Sequence, residues 1–237
     1  MIKLDAMIKP IPDTEDPKTT EEHDFSDSAF VQIKSGSFFD VRMKYVEMKM
    51  DHAQEKCIVR KEVYERLQKV RDYLPEGYRL RIWDAWRPLA LQVELFEKYS
   101  KDIVREFSLE DLTEEQRNKV IARFVSLPNE DRTIPPVHTT GGAVDVTLVD
   151  KDGNELPMGT GFDSFSKATQ TEYFEKEKNI LFRDNRRLLY NAMISAGFTN
   201  LPSEWWHYDY GDRFWAYYNN VPMIYDGRFT LGETEFL

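Results

Sequence analysis

The feature that most constrains this chain is the run Pro136-Val137-His138-Thr139-Thr140-Gly141-Gly142-Ala143-Val144-Asp145-Val146-Thr147-Leu148. A histidine and an aspartate flank a Gly-Gly pair, and a β-branched stretch follows. Glycine tolerates positive φ, so the pair can fold the chain back and bring an imidazole and a carboxylate to one point. Residues 143–149 read as a strand, with Val144, Val146 and Leu148 on one face and Asp145 and Thr147 on the other. Further on, Glu204-Trp205-Trp206-His207-Tyr208 adds a second histidine and a spare carboxylate. His138, Asp145, His207 and Glu204 are the inventory of a catalytic zinc site: three ligands, an open water position and a base. The spacing alone leaves metal ligation and ordinary hydrogen-bonded histidines evenly matched, because His-x6-Asp is not as sharp a pattern as H-E-x-x-H. In a regular strand Glu204 and His207, three apart, would face opposite ways. A turn or bulge at Pro202-Ser203 is needed to aim both at one cavity.

Charge and composition narrow the partners. The net charge of −10 and pI near 5.0 argue against nucleic acid or an anionic membrane, whose phosphates would repel the chain. The single cysteine, Cys57, excludes an intramolecular disulfide and reads as a buried or idle thiol. No apolar run reaches the length of a signal peptide or a membrane span, so a cytoplasmic location is expected. Residues 1–30 read as an extended, solvated lead-in rich in Pro, Asp, Glu, Thr and Ser, with one domain expected over 31–237.

Along that domain, residues 31–50 look β-like, including Tyr45-Val46-Glu47-Met48. Val63, Leu67, Val70 and Leu74 give an amphipathic helix stopped by Pro75 and Gly77. Leu80 and Ile82 alternate with arginines as in a strand, which leads into Trp83-Asp84-Ala85-Trp86-Arg87-Pro88. Pro88 suits the start of a helix with Leu89, Val93, Phe96 and Tyr99 on its buried face. Thr113-Glu114-Glu115-Gln116 is a capping box. A hairpin partner for the 143–149 strand is expected near 155–158. A helix is expected over 184–196, burying Leu188, Leu189, Ala192 and Met193, with Gly197 as its stop. Residues 198–199 and 205–210 suggest a hairpin. The sum is α+β, with helices packed against a small, mostly antiparallel central sheet.

Other residues invite chemistry. Arg87 is either a surface ion-pair partner or an electrophile that stabilises an oxyanion. Asp163, in Met158-Gly159-Thr160-Gly161-Phe162-Asp163, is a turn residue by default and otherwise a carboxylate for a substrate ammonium. Trp83, Trp86, Trp205 and Trp206 read as core, with those on the site side able to wall a pocket.

Three stretches in this order, 83–88, 138–145 and 204–208, resemble the zinc D-alanyl-D-alanine dipeptidases of the VanX type, within a wider group of D,D-carboxypeptidases and Hedgehog-like zinc domains. The resemblance spans roughly residues 39–210. It implies one Zn2+ held by His138, Asp145 and His207, Glu204 as catalytic base and Arg87 as stabiliser of the tetrahedral intermediate. It further implies Asp163 as ligand of the dipeptide's amino group, and Tyr45, in a Lys44-Tyr45 pair, at the border of the substrate pocket. Pro136 and Thr140 stand where these enzymes carry Ser and Arg around the first ligand, and Trp86 stands where they carry Tyr. The expected activity is hydrolysis of D-Ala-D-Ala or a related small D-amino-acid dipeptide. The alternatives are a carboxypeptidase or endopeptidase on peptidoglycan stem peptides, and a non-catalytic zinc-stabilised binding domain.

Overall fold

The computed structural model describes residues 8–18, 20–122, 124–232 and 235–236. Strand β5 (Ala143–Val149) is buried along its whole length and forms the middle of a five-stranded sheet. Its neighbours are β4 (Arg79–Asp84) and β7 (His207–Asp209), and the edges are β2 (Phe39–Val41) and β6 (Thr199–Asn200), in the order β2-β4-β5-β7-β6. Within this sheet, among the described residues, β2 and β4 run parallel and the other pairs antiparallel. A separate antiparallel pair joins β1 (Phe30–Ile33) to β3 (Cys57–Arg60). The expected α+β arrangement with a small, mostly antiparallel sheet is the one observed.

Val144, Val146 and Leu148 are fully buried in the main core with Val63, Leu67 and Val70 of α2 (Lys61–Val70) and Leu188, Leu189, Ala192 and Met193 of α6 (Ile180–Ser195). Fully burying each such side chain contributes about 1.5–3 kcal/mol. A second core lies beyond the Asp145 face of the sheet. There α3 (Leu89–Glu106) and α4 (Glu114–Ile121) pack around Tyr45, Leu95, Tyr99 and Ile103. The candidate site lies between the two cores. The remaining helices are α1 (Lys44–Glu47), α5 (Tyr173–Lys176) and α7 (Arg213–Asn219). Among the described residues, no helix is long and apolar enough to cross a membrane.

Several local expectations need correction. Tyr45-Val46-Glu47-Met48 is not β-like but forms the one-turn helix α1. Lys49 closes it at φ 57°, and the Met50 N–H donates to the Tyr45 carbonyl. A short apolar run fits a strand or a buried turn equally well by periodicity, and here the turn sends Tyr45 inward. The buried stripe of α3 is Leu91, Leu95, Tyr99 and Ile103, with Val93 37% exposed. Its first turns are apolar on several faces, so spacing did not choose between them. Helix α6 starts at Ile180, not 184. Asn179 caps it by accepting from the Phe182 N–H, and the exposed Ile180 and Leu181 hide its first turn. Near residue 155 there is only a single bridge, Val149 to Glu155, in place of the expected hairpin strand. The capping box at Thr113 and the 199–209 hairpin are present as expected.

Residues 8–18 run extended and mostly exposed over the surface. They are pinned where Ile11 is buried and its N–H donates to Glu175, and where Asp16 accepts from the Ser203 N–H. The C-terminal stretch crosses behind the His138 loop, with Arg228 N–H donating to the Thr139 carbonyl. Buried Arg60 ties this region together by donating to Thr140 O, Ser28 O and Asp226. The Gly-Gly return is as tight as its sequence implies. Gly141 sits at φ 74°, and a Cβ there would lie 2.5 Å from the Phe30 ring. Gly141→Ala should therefore lower stability by about 1–3 kcal/mol, read as an earlier midpoint in denaturant. An unchanged midpoint would contradict the tight return.

Candidate active site

Strand register assembles the site. Asp145 of β5 pairs directly with His207 of β7. On the other side it pairs with Asp84 of β4, through an irregularity between Ile82 and Asp84. Ile82 pairs with Val146, so Asp84 in a regular ladder would oppose Val144 and point into the core. The extra residue, Trp83, turns Asp84 to the Asp145 face. Asp84, Asp145 and His207 thus form one row across three strands. His138 reaches this row from a one-turn 3-10 segment, Val137–Thr140, immediately before the Gly-Gly return.

The ligand candidates converge closely. His138 Nε2 lies 3.2 Å from His207 Nδ1, and Asp145 Oδ1 lies 3.1 Å from His207 Nδ1 and 3.4 Å from His138 Nε2. The other nitrogen of each ring fixes what faces inward. His138 Nδ1 is 2.8 Å from the Ala85 carbonyl, which can only accept, so that nitrogen carries the proton and Nε2 presents a lone pair. His207 Nε2 lies 2.8 Å from Asp209 Oδ1 and donates to it, which aims Nδ1 at the cluster as the nitrogen a metal would take. All three residues are buried. Burial would lower the His207 ring, but Asp209 and Asp145 push it well above its ordinary pKa, so the cluster gathers positive charge at its centre. Such a cluster calls for a cation. The separations match the roughly 3.3 Å edge of a tetrahedron with metal–nitrogen bonds of about 2.0–2.1 Å, so the residues fit zinc. The charges agree with this. Burial would raise the Asp145 carboxyl, but positive charge on the two rings overrides it and holds it well below the usual carboxylate range, and a bound dication would supply that positive charge in the rings' place.

Glu204 stands beside this cluster, with an oxygen 3.9 Å from His207 Nδ1. Two successive turns aim it there, because Glu204 N–H donates to Leu201 O and His207 N–H donates to Glu204 O. The fold thus uses turns, not a bulge, to bring residues 204 and 207 to one cavity. Asn200 pins the loop by donating to the Glu204 and His207 carbonyls. Burial, with Asp145 and Asp163 nearby, pushes Glu204 up to about 8. A bound dication would lower it again and favour the carboxylate.

Arg87 is buried and held from several sides. It donates to Asp84 from Nε at 2.9 Å and to Gln92 at 2.8 Å, and its Nη2 lies 3.3 Å from Tyr45 Oη and 3.7 Å from Asp145 Oδ2. The surface ion-pair reading is therefore excluded. Asp163 occupies φ 53°, an uncommon conformation for a residue with a side chain. Tyr45 and Tyr99 both donate to its Oδ2, at 2.9 and 2.8 Å. Burial, aided by Asp145, pushes its carboxyl up to about 6 despite these bonds. All seven residues singled out from the sequence, His138, Asp145, His207, Glu204, Arg87, Asp163 and Tyr45, line one cavity of about 50 Å3.

Of the four tryptophans considered, Trp206 lines a cavity beside the pocket. Trp86 lies in a separate cluster with Phe30 and Ile58 and donates to the Arg228 carbonyl. Pro136 borders the pocket, whereas the Thr139 and Thr140 hydroxyls are used within their own loop. Cys57 is buried, and burial pushes its thiol pKa up, as expected of an idle cysteine. Sequence reasoning missed the supporting residues Asp84, Asp209, Tyr99 and Asn200. Asp209 was findable, since it lies two positions from His207 on one strand and so shares its face.

Two imidazoles, a carboxylate, an adjacent free carboxylate and a buried guanidinium define a mononuclear metal-hydrolase type of site. Comparison with known proteins agrees. The peptidase M15 model, described as D-ala-D-ala dipeptidase, matches residues 41–226, and the chain belongs to that family. It is 31% identical over 180 residues to a D-alanyl-D-alanine dipeptidase of Synechocystis, covering 69% of this chain and 73% of that one. It is 27% identical over 176 residues to the Escherichia coli D-alanyl-D-alanine dipeptidase, covering 72% and 78%. Among solved structures, the vancomycin-resistance D,D-pentapeptidase VanY with Zn(II) is similar at 15% identity and TM-score 0.41, over 73% of this chain and 85% of that one.

Asp209 orients a ligand without touching the metal position. Asp209→Asn should weaken zinc affinity about 10–100-fold, measured by competition with a chromogenic chelator. An unchanged affinity would remove Asp209 from this role.

Proposed function

We propose that this chain is a zinc-dependent dipeptidase that hydrolyses D-alanyl-D-alanine, or a closely related small D-amino-acid dipeptide, to free amino acids. The observation that carries the reading is the cluster of three inward-facing metal-type donor atoms beside a carboxylate that is not one of them. His138, Asp145 and His207 hold the zinc. Zinc held there would supply a nucleophilic water at neutral pH and Lewis acidity toward the scissile carbonyl. Glu204 takes the proton from the attacking water and passes it to the leaving amine. The water oxygen ends on the carbonyl carbon, and the C–N bond breaks. Arg87, held flat by Asp84 and Gln92, presents its remaining edge to the negative charge that develops on the carbonyl oxygen. Asp163, held by Tyr45 and Tyr99, takes the substrate's free ammonium and so selects dipeptides.

A non-catalytic zinc-stabilised domain would need neither a free carboxylate beside the ligands nor a guanidinium fixed at the same cavity. The family match over residues 41–226 supports one peptidase domain over residues 31–237.

Glu204→Gln should lower kcat by about 10^2–10^4-fold with zinc content unchanged by elemental analysis; near-full activity would rule out the base role. Asp163 is anionic only above its raised pKa of about 6. As pH falls from 7 to 5 it gains a proton and loses its hold on an ammonium group, so KM for D-Ala-D-Ala should rise over that interval. Asp163→Asn should show a high KM at both pH values, and a flat, low KM in that variant would count against the ammonium contact.

A further inference from the structure

Beside the catalytic pocket lies a second, larger cavity of about 440 Å3. Asp163, Glu204 and Phe124 border both. The larger chamber has aromatic walls. Phe107, just past the end of α3, stacks on Phe124 with centroids 5.1 Å apart. Phe124 meets Phe165 edge-on at 5.8 Å, and Phe165 meets Tyr99, the residue that holds Asp163, at 5.3 Å. Trp206 lines the chamber as well, and Asp16, Lys167 and Gln170 give it polar lining. Phe107 leaves 41% of its surface exposed. An apolar cavity of about 150 Å3 accommodates benzene, so this chamber has room for an aromatic or long aliphatic side chain.

We propose that the chamber is a subsite for the side chain of the substrate's amino-terminal residue, and that the enzyme takes dipeptides with a bulky apolar first residue as well as D-Ala-D-Ala. This rests on the dipeptidase reading above. There, Asp163 marks the place of the ammonium group and Glu204 the place of the scissile carbonyl. A dipeptide has one atom between those two groups, the α-carbon of its first residue. The substituent on that carbon leaves the backbone between Asp163 and Glu204, and these two residues form the wall shared by the cavities. A methyl group leaves the chamber empty. A benzyl group reaches Phe124, Phe165 and Trp206 and removes apolar surface from water.

The test is steady-state kinetics of the zinc-loaded full chain on D-Ala-D-Ala, D-Phe-D-Ala, D-Ala-D-Phe and N-acetyl-D-Ala-D-Ala. D-Phe-D-Ala should show a kcat/KM about tenfold above D-Ala-D-Ala, mainly through a lower KM, and D-Ala-D-Phe should gain nothing. Gln170→Trp puts an indole into the chamber from an exposed position. It should abolish the preference for D-Phe-D-Ala and leave D-Ala-D-Ala within about twofold. D-Phe-D-Ala cut no better than D-Ala-D-Ala would overturn the subsite alone. Efficient cleavage of the acetylated peptide would assign the chamber to a chain extension and would likewise overturn it. No hydrolysis of any of the four would overturn the dipeptidase reading and the subsite with it.

Discussion

Strand β5 is held between β4 and β7 in a register that lines up Asp84, Asp145 and His207 across the sheet. The extra residue at Trp83 is what brings Asp84 into that row. Strand side chains alternate, so a slip of one residue in any of the three strands would exchange the site face for the core face. The fully buried Val144, Val146 and Leu148 make such a slip costly, because it would move them off the α2 and α6 side. Packing of the apolar face therefore secures the geometry of the polar one. His138 is the exception, since it arrives from a loop. Its position depends on the Gly-Gly return, on Arg60 donating to the Thr140 carbonyl, and on its own bond to Ala85 O.

The charges around the site follow one logic. Each inner group is oriented by an outer one that fixes its protons. Ala85 O and Asp209 set the ring tautomers, Asp84 and Gln92 set the guanidinium, and Tyr45 and Tyr99 set Asp163. Burial, with Asp209 alongside, pushes the Asp212 carboxyl well above the usual carboxylate range. What converges on the point between His138, Asp145 and His207 is a set of three metal-type donor atoms in a poorly hydrated space, which favours a cation there.

Much of the site was legible because its residues lie in compact, unusual stretches. The strand 143–149 and the two glycines before it gave the position of Asp145 and the fold-back at His138, and both are observed. The turn that aims Glu204 was required by its spacing from His207. The outer partners were less legible because they act through tertiary contact. Asp84 faces the site only because of a bulge that no local pattern announces, and Tyr99 reads as an ordinary core aromatic. Tyr45 was assigned its place at the pocket, yet the turn carrying it was read as β-like, since four residues are too few to show a period. The α3 stripe was misplaced for a related reason: Leu89, Leu91, Val93, Leu95 and Phe96 offer more than one apolar face.

The central claim is that His138, Asp145 and His207 form a cluster that needs a cation. Calorimetric titration of the metal-free chain with Zn2+ tests it most directly, run beside Asp145→Ala. The account predicts one tight site per chain in the native protein and a loss of that site in the variant, with the variant still folded by circular dichroism. Zinc binding of equal affinity and stoichiometry in both proteins would contradict it.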